Sequence, residues 1–167
     1  WIPSGGLAWR LFENTTWKAS ISKGFRSPTL RELFIWNHNV NLRPETVISY
    51  ETGIIQSFPA KSLKLELTGF IVTGNDMIIT VPMQGLQNAG EVNNKGIELA
   101  VNAVPVENLA IDLTYSYTNM KYPVYATPRN NLFVSADYSF SKFRLMLSSQ
   151  SIDHLDSDPP TTVESFE

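Results

Sequence analysis

Residues 62–71 read Ser62-Leu63-Lys64-Leu65-Glu66-Leu67-Thr68-Gly69-Phe70-Ile71, and their strict alternation decides the local backbone. One side of the stretch is Leu63, Leu65, Leu67, Gly69 and Ile71; the other is Ser62, Lys64, Glu66, Thr68 and Phe70. Only an extended strand sends successive side chains to opposite sides, so a period of two predicts β-structure with one oily and one wet face. The split recurs at 109–118, with Leu109, Ile111, Leu113, Tyr115 and Tyr117 against Asp112, Thr114, Ser116 and Thr118. It recurs again in Leu132, Val134, Ala136, Tyr138 and Phe140 against Ser135, Asp137 and Ser139, and in Ile97, Leu99, Val101 and Ala103 against Glu98 and Asn102. Looser versions occupy 16–24, 46–58 and 143–150, and Leu7, Trp9 and Leu11 suggest one more strand at the start.

Two environments satisfy such strands equally: a soluble sandwich that buries one face against a second sheet, and a membrane barrel that wets one face with lipid. The connections bear on the choice. Tight links near Glu13-Asn14, Pro59-Ala60, Pro105-Val106-Glu107 and Ser141-Lys142 alternate with long ones at about 24–45, 74–90, 119–129 and from 151 onward. Short turns on one rim and long loops on the other are the barrel pattern. Phe12, Trp17, Phe58, Phe140 and Phe143 gather beside the short turns, with Tyr50, Tyr115 and Tyr117 toward the long loops, as two interfacial girdles would. The oily faces carry no charge over their central residues. Upstream of Ile97 the same register would put Glu91, Asn93 and Lys95 on the oily face, so that part is expected to rise above the membrane, a bulge being the other way out. The alternation by itself leaves both environments open.

Composition excludes several functions. With 13 Lys plus Arg, 16 Asp plus Glu and a net charge of −3, and with no basic stripe interleaved with aromatics, no nucleic-acid partner is expected. The absence of cysteine excludes a disulfide framework, a thiolate nucleophile and cysteine-based metal sites. Apolar runs are far shorter than the ~20 residues of a membrane-crossing helix. The opening Trp1-Ile2-Pro3 lacks an initiator Met and a leader pattern, and the chain is expected to be cut at both ends. There is no nucleophile elbow, phosphate-cradling loop or cofactor motif, and His38 and His154 stand far apart, so no enzyme, cofactor or resident metal is expected. The acidic run 153–158 lacks the spacing and glycine of a calcium loop, and Asn14-Thr15-Thr16 matches a glycosylation sequon only as a common tripeptide. In the first long loop, Ser27 is placed to cap and Pro28 to open a short helix through Phe34.

Several stretches, taken in order, carry a family likeness. Lys23-Gly24-Phe25-Arg26-Ser27-Pro28-Thr29-Leu30 is similar to the GFRAPTL stretch of TonB-dependent receptors. Asn41-Leu42-Arg43-Pro44-Glu45 followed by Tyr50-Glu51-Thr52-Gly53 resembles their NPxLKPE…YELG signature, Asn88-Ala89-Gly90 with Lys95-Gly96-Ile97-Glu98 resembles NAG…KGVE, and Pro128-Arg129 resembles the entry to a late strand. Val40 and Asn130-Asn131 depart from the usual Pro and His-Lys. The resemblance implies that residues 1–167 are part of a large antiparallel meander barrel of about 22 strands, the plug domain and final strands lying outside the sequence.

It also implies a function: energised uptake of a scarce ligand across the outer membrane of a Gram-negative bacterium. The ligand would be an iron–siderophore complex, a cobalamin-like compound or a glycan. Its partners would be the TonB complex, reached through the plug, the imported ligand and outer-membrane lipid. Lys64, Glu66, Asp112, Asp137 and Arg144 would then face the lumen, and Gly24, Phe25, Arg26, Pro28, Pro44, Glu45, Tyr50, Glu51, Gly53, Asn88, Gly90, Gly96 and Glu98 would be structural. Trp36-Asn37-His38-Asn39 joins a flat aromatic to several donors and acceptors and is the candidate ligand contact. The rival reading is a soluble β-sandwich that binds carbohydrate or another ligand through its long loops; a small complete eight-stranded barrel is a third.

Overall fold

The computed structural model describes residues 1–35, 38–121 and 128–155. Among the described residues eight strands follow one another, β1 (Ser4–Phe12), β2 (Thr15–Arg26), β3 (Glu45–Phe58), β4 (Leu63–Val81), β5 (Gly85–Val106), β6 (Leu109–Met120), β7 (Pro128–Phe140) and β8 (Phe143–Leu155), with an α-helix, α1 (Leu30–Phe34), between β2 and β3 and a short 3-10 helix at Pro59–Lys61 between β3 and β4. They form a single antiparallel sheet in chain order, each strand paired to the next. The alternating stretches lie inside these strands with the expected faces. Leu65 pairs with Val101, Val101 with Leu113 and Leu113 with Val134, which puts the oily residues of four strands side by side.

No second layer covers that face among the described residues. Leu42 and Met120 are the buried apolar side chains, while Ile54, Leu67, Ile97 and Leu145 of the oily face stay about half exposed. A sandwich would have sealed them against a partner sheet, so the sandwich expectation is not met.

The oily band crosses the sheet at a slant. One hydrogen-bond row runs through Thr15, Gln56, Leu65, Val101, Leu113, Val134 and Ser149. On β2 this row is the turn end of the strand; β3 and β4 run two residues past it to Phe58 and Leu63, β6 four to Leu109, and β7 six to Phe140. The opposite margin falls as well: the last oily residue before a polar one is Ile21 on β2, Ile97 on β5, Leu132 on β7 and Leu147 on β8. The turn ends thus shift six residues across six strand steps, one per step. A shift of ~3.3 Å for every ~4.8 Å of strand spacing is a tilt of about 35°. That is the tilt of barrel strands in a bilayer, and the nine residues from Leu63 to Ile71 then cover about 22 Å of height, close to the roughly 25 Å of an apolar barrel band. Thr15 and Ser149, the polar ends of one row, sit at opposite margins of the band.

Two side-chain donors on the oily face find partners across a strand. Trp17 donates from Nε1 to Thr52 Oγ1 at 3.0 Å, and Tyr115 donates its hydroxyl to Asn130 Oδ1 at 2.9 Å. In hydrocarbon, where no water can serve, such bonds matter most. No described helix is long and apolar enough to cross a membrane, which says nothing of strands.

Two expectations need correction and one is narrowed. The region 74–90 is no loop: β4 and β5 continue through it as a hairpin closed by Pro82, Met83 and Gln84, with Met83 and Gly85 at positive φ. Register shifts between Gly74 and Met77 and between Met77 and Ile78 mark paired bulges, and Asp76 takes the left-handed conformation there. Below the bulges Asn93 and Lys95 keep the oily-face register, opposite Thr73 and Ile71, and stand above the band. The tight link expected near Pro105-Val106-Glu107 closes at its far end, at Glu107-Asn108; Pro105, which has no N–H to give, sits in a register shift between Ala103 and Val106. The helix is capped by Thr29, not Ser27, because Thr29 and Glu32 form a reciprocal capping box and leave Pro28 outside.

Candidate functional site

Beyond the oily band, at the end of the sheet away from the short turns, three of the family-motif residues, Arg26, Glu45 and Asn88, come into one network. Arg26 and Glu45 are cross-strand partners, the last of β2 and the first of β3. The guanidinium grips Glu45 with two bonds, Nε to Oε2 at 2.6 Å and Nη2 to Oε1 at 2.8 Å. Its other edge reaches Glu32 of α1, with Nη1 at 3.0 Å from Oε2 and 3.1 Å from Oε1. Glu32 in turn accepts from the Thr29 backbone N–H at 2.7 Å and hydroxyl at 2.8 Å. One planar cation thus joins a strand end, a strand start and a helix, a use to which a lysine point charge is unsuited.

Glu45 is buried at 5% exposure. Its Oε1 also accepts the backbone N–H of Ile78 at 2.7 Å. The β3–β4 ladder ends at Thr46 and Asn75, so this carboxylate replaces the carbonyl that the missing ladder would have offered. The charges reinforce one another. Hydrogen bonds from Arg26, first, and from the Thr29 backbone hold the Glu32 carboxyl down to about 2. Glu45 is lowered by Arg26 above all and by Ile78, against the opposing pull of burial. Arg26 is pushed up by Glu45 and then Glu32.

The second half of the clasp rests on two side-chain amides and one exposed ion pair. Asn88 on β5 accepts from the Arg43 N–H at 2.7 Å and donates to the Arg43 carbonyl at 2.9 Å and the Asp76 carbonyl at 2.7 Å, so its amide acts as a short piece of strand. Arg43 Nη2 lies 2.6 Å from Asp76 Oδ1. Asn39 donates to the Leu86 carbonyl at 2.9 Å while its own oxygen accepts from Asn41 N–H at 2.9 Å.

Of the candidate ligand residues, Trp36 and Asn37 lie outside the described residues, His38 is exposed on the loop, and the Asn39 amide is engaged at both ends. The charged residues Lys64, Glu66, Asp112, Asp137 and Arg144 share the face opposite the oily band but do not form one cluster. Lys64 Nζ stands 3.8 Å from Glu66, Asp112 accepts from Asn102 at 2.6 Å, and Arg144 Nε donates to both Asp137 oxygens at 2.8 and 2.9 Å. The residue overlooked in the sequence is Lys18, whose ammonium pairs with Glu66 two strands away. It was legible only as a wet-face residue of β2.

Gly53 explains that reach. It stands between Lys18 and Thr68 on the intervening strand, and a Cβ there would lie 2.6 Å from the Leu67 carbonyl and 3.1 Å from Lys18 Cε. Gly96 plays the same part for Phe70, whose Cζ would be 2.6 Å from an added Cβ. Among the other motif residues, Gly24 has open space around it, Phe25 and Tyr50 lie exposed on the oily face, Glu51 faces Ser20 Oγ and Ser49 Oγ at 3.4 Å, and Gly90 packs against Met77 and Ile79. Glu98 is exposed on the wet face and Pro44 leads into Glu45. No group of metal-ligating side chains occurs among the described residues.

A one-layer antiparallel meander with a slanted oily band, short turns on one rim and a clasped hairpin on the other is a section of transmembrane β-barrel wall. The chain belongs to the TonB dependent receptor-like, beta-barrel family, whose model matches residues 1–163. A comparison with curated proteins gave no match. Among solved structures, the siderophore receptor PirA from Pseudomonas aeruginosa is 24% identical with a TM-score of 0.75, over 90% of this chain and 30% of that one. The alcaligin outer-membrane receptor FauA from Bordetella pertussis is 16% identical with a TM-score of 0.67, over 93% of this chain and 30% of that one. The FrpB iron transporter from Neisseria meningitidis is 18% identical with a TM-score of 0.67, over 88% and 25%. At these identities the likeness is one of fold, and the chain spans less than a third of each.

Proposed function

We propose that this chain forms part of the wall and outer vestibule of a receptor in the outer membrane of a Gram-negative bacterium, which imports a scarce ligand with energy delivered by TonB. The observation that carries the reading is the slanted oily band, which suits strands tilted through a bilayer. The wet face, with Lys64, Glu66, Asp112, Asp137 and Arg144, then lines the lumen, where water or a plug domain accepts charge. The outer loops, His38 among their residues, meet the ligand. Of the three ligand classes, an iron–siderophore complex is favoured, since the named structural neighbours include a siderophore receptor and an iron transporter. The partners are the TonB complex, the imported ligand and outer-membrane lipid.

Deleting the parent gene tests this. Uptake of at least one member of a panel of radiolabelled ferric siderophores, cobalamin and oligosaccharides is expected to disappear, and to return with the gene unless TonB is also removed. Unchanged uptake of the whole panel would overturn the proposal.

A further inference from the structure

The hairpin beyond Gly74 is longer than the sheet beside it. On one side the ladder with β3 ends at Asn75; on the other, β6 stops pairing at Asn94, with one further bond from Lys121 N–H to the Asn93 carbonyl. From Asp76 to Val92, then, a two-stranded ribbon stands with no lateral strand among the described residues, and such a ribbon is marginally stable in water by itself. Among the described residues, one stretch, 39–45, supplies a row of side-chain bonds to it. Asn39 bonds Leu86, Arg43 bonds Asn88 and Asp76, and Glu45 bonds Ile78. That stretch is itself pinned from the other side, by Arg26 through Glu45 and by the bond from Asn39 N–H to the Glu32 carbonyl.

Glu45 is the node. Its Oε1 receives both Arg26 Nη2 and Ile78 N–H, so one oxygen serves the β2–α1 side and the hairpin side together. We infer that Glu45 is a positioning residue: it fuses the described loop residues 27–35 and 38–44 and the hairpin beyond Gly74 into one body on the outer face. Neither is then ordered independently, and the hairpin tip and the neighbourhood of His38 present a single recognition surface. That functional consequence rests on the uptake proposal; the mechanical coupling does not.

The alternative is two local anchors that share a neighbourhood. In that case a change on one side loosens that side alone. Hydrogen exchange on the full-length receptor in detergent separates the two, with no ligand needed. Asn88→Ala, on the hairpin, is expected to raise exchange at least about tenfold at the loop amides Leu33, Ile35 and Leu42, whose bonds it does not touch. Arg26→Lys, on β2, is expected to do the same at Ile79 and Thr80 of the hairpin. Leu99 and Leu113, deep in the sheet, report whether the barrel is intact and are expected to stay protected. Loosening confined to the mutated side in both variants would overturn the inference. A receptor that imports nothing could still show the coupling, so this result and the uptake test stand or fall separately.

Discussion

A lysine walked along one hydrogen-bond row probes the membrane assignment at its weakest point. The row Thr15, Leu65, Val101, Leu113, Ser149 is level with respect to the strands and oblique to the band. Thr15 begins β2 beside a short turn, while Ser149 lies past Leu147, the last oily residue of β8, at the opposite margin. Val101 and Leu113 fall between them, near mid-depth. A lysine at mid-depth costs roughly 2–4 kcal/mol, and one near the interface about 0–1. Taking about 3 kcal/mol for Val101→Lys, the folded-to-unfolded ratio drops by a factor of about 150, since each 1.4 kcal/mol is tenfold. Thr15→Lys and Ser149→Lys are expected to be nearly neutral. The assay is reversible urea unfolding of the intact parent in lipid vesicles, followed by tryptophan emission and by heat-modifiable migration on gels. A peaked profile along the row supports the tilted wall. Equal effects at all five positions, or a peak at either end, would refute it, because a strand sheet packed on a second layer has no reason to order that row by depth.

Glycine replacements give a second test. Gly96→Ala would place its Cβ 2.0 Å from the Tyr117 carbonyl and against the Phe70 ring, and is expected to destabilise the wall by roughly 1–3 kcal/mol in the same unfolding assay, whereas Gly24→Ala, in open space, stays within about 0.5 kcal/mol. Acid offers a third. Glu32 and Glu45 both sit below the ordinary carboxylate value of 4.5, so their contribution is complete above that pH and fades as the pH falls toward the Glu32 value of about 2. The distance between probes at exposed Val40 and Gln84 should therefore stay sharp from pH 7 to about 4.5 and broaden below it; broadening between pH 7 and 5 would contradict the assignment.

The strands were legible wherever one face met one kind of solvent. Residues 62–71 and 109–118 alternate because hydrocarbon and a polar interior impose opposite demands at every step, and local sequence records both. Residues 74–90 were misread for the converse reason. Above the membrane both faces are wet, alternation fades, and Asn75, Asp76, Pro82, Gly85 and Gly90 look like loop. The strand survives there through Glu45 and Arg43, partners 33 to 45 residues away that no window along the chain can weigh. The motif residues were visible as a set; the meeting of Glu45 and Glu32 on Arg26 was not. Thr29 outdid Ser27 as helix cap because Glu32 answers it three residues on, a pattern the sequence did contain.

The thread of Lys18 across Gly53 has a consequence for assembly. A slip of one residue between neighbouring strands turns oily side chains toward water and is rejected at once, but a slip of two preserves every face. Hydrophobicity cannot detect that error. Should β3 shift by two, Glu51 or Ile55 would arrive where Gly53 belongs, and a bulky side chain would stand in the path of the lysine on its way to Glu66. A missing side chain thereby proofreads the alignment of three strands, catching the mistake that the lipid would let pass.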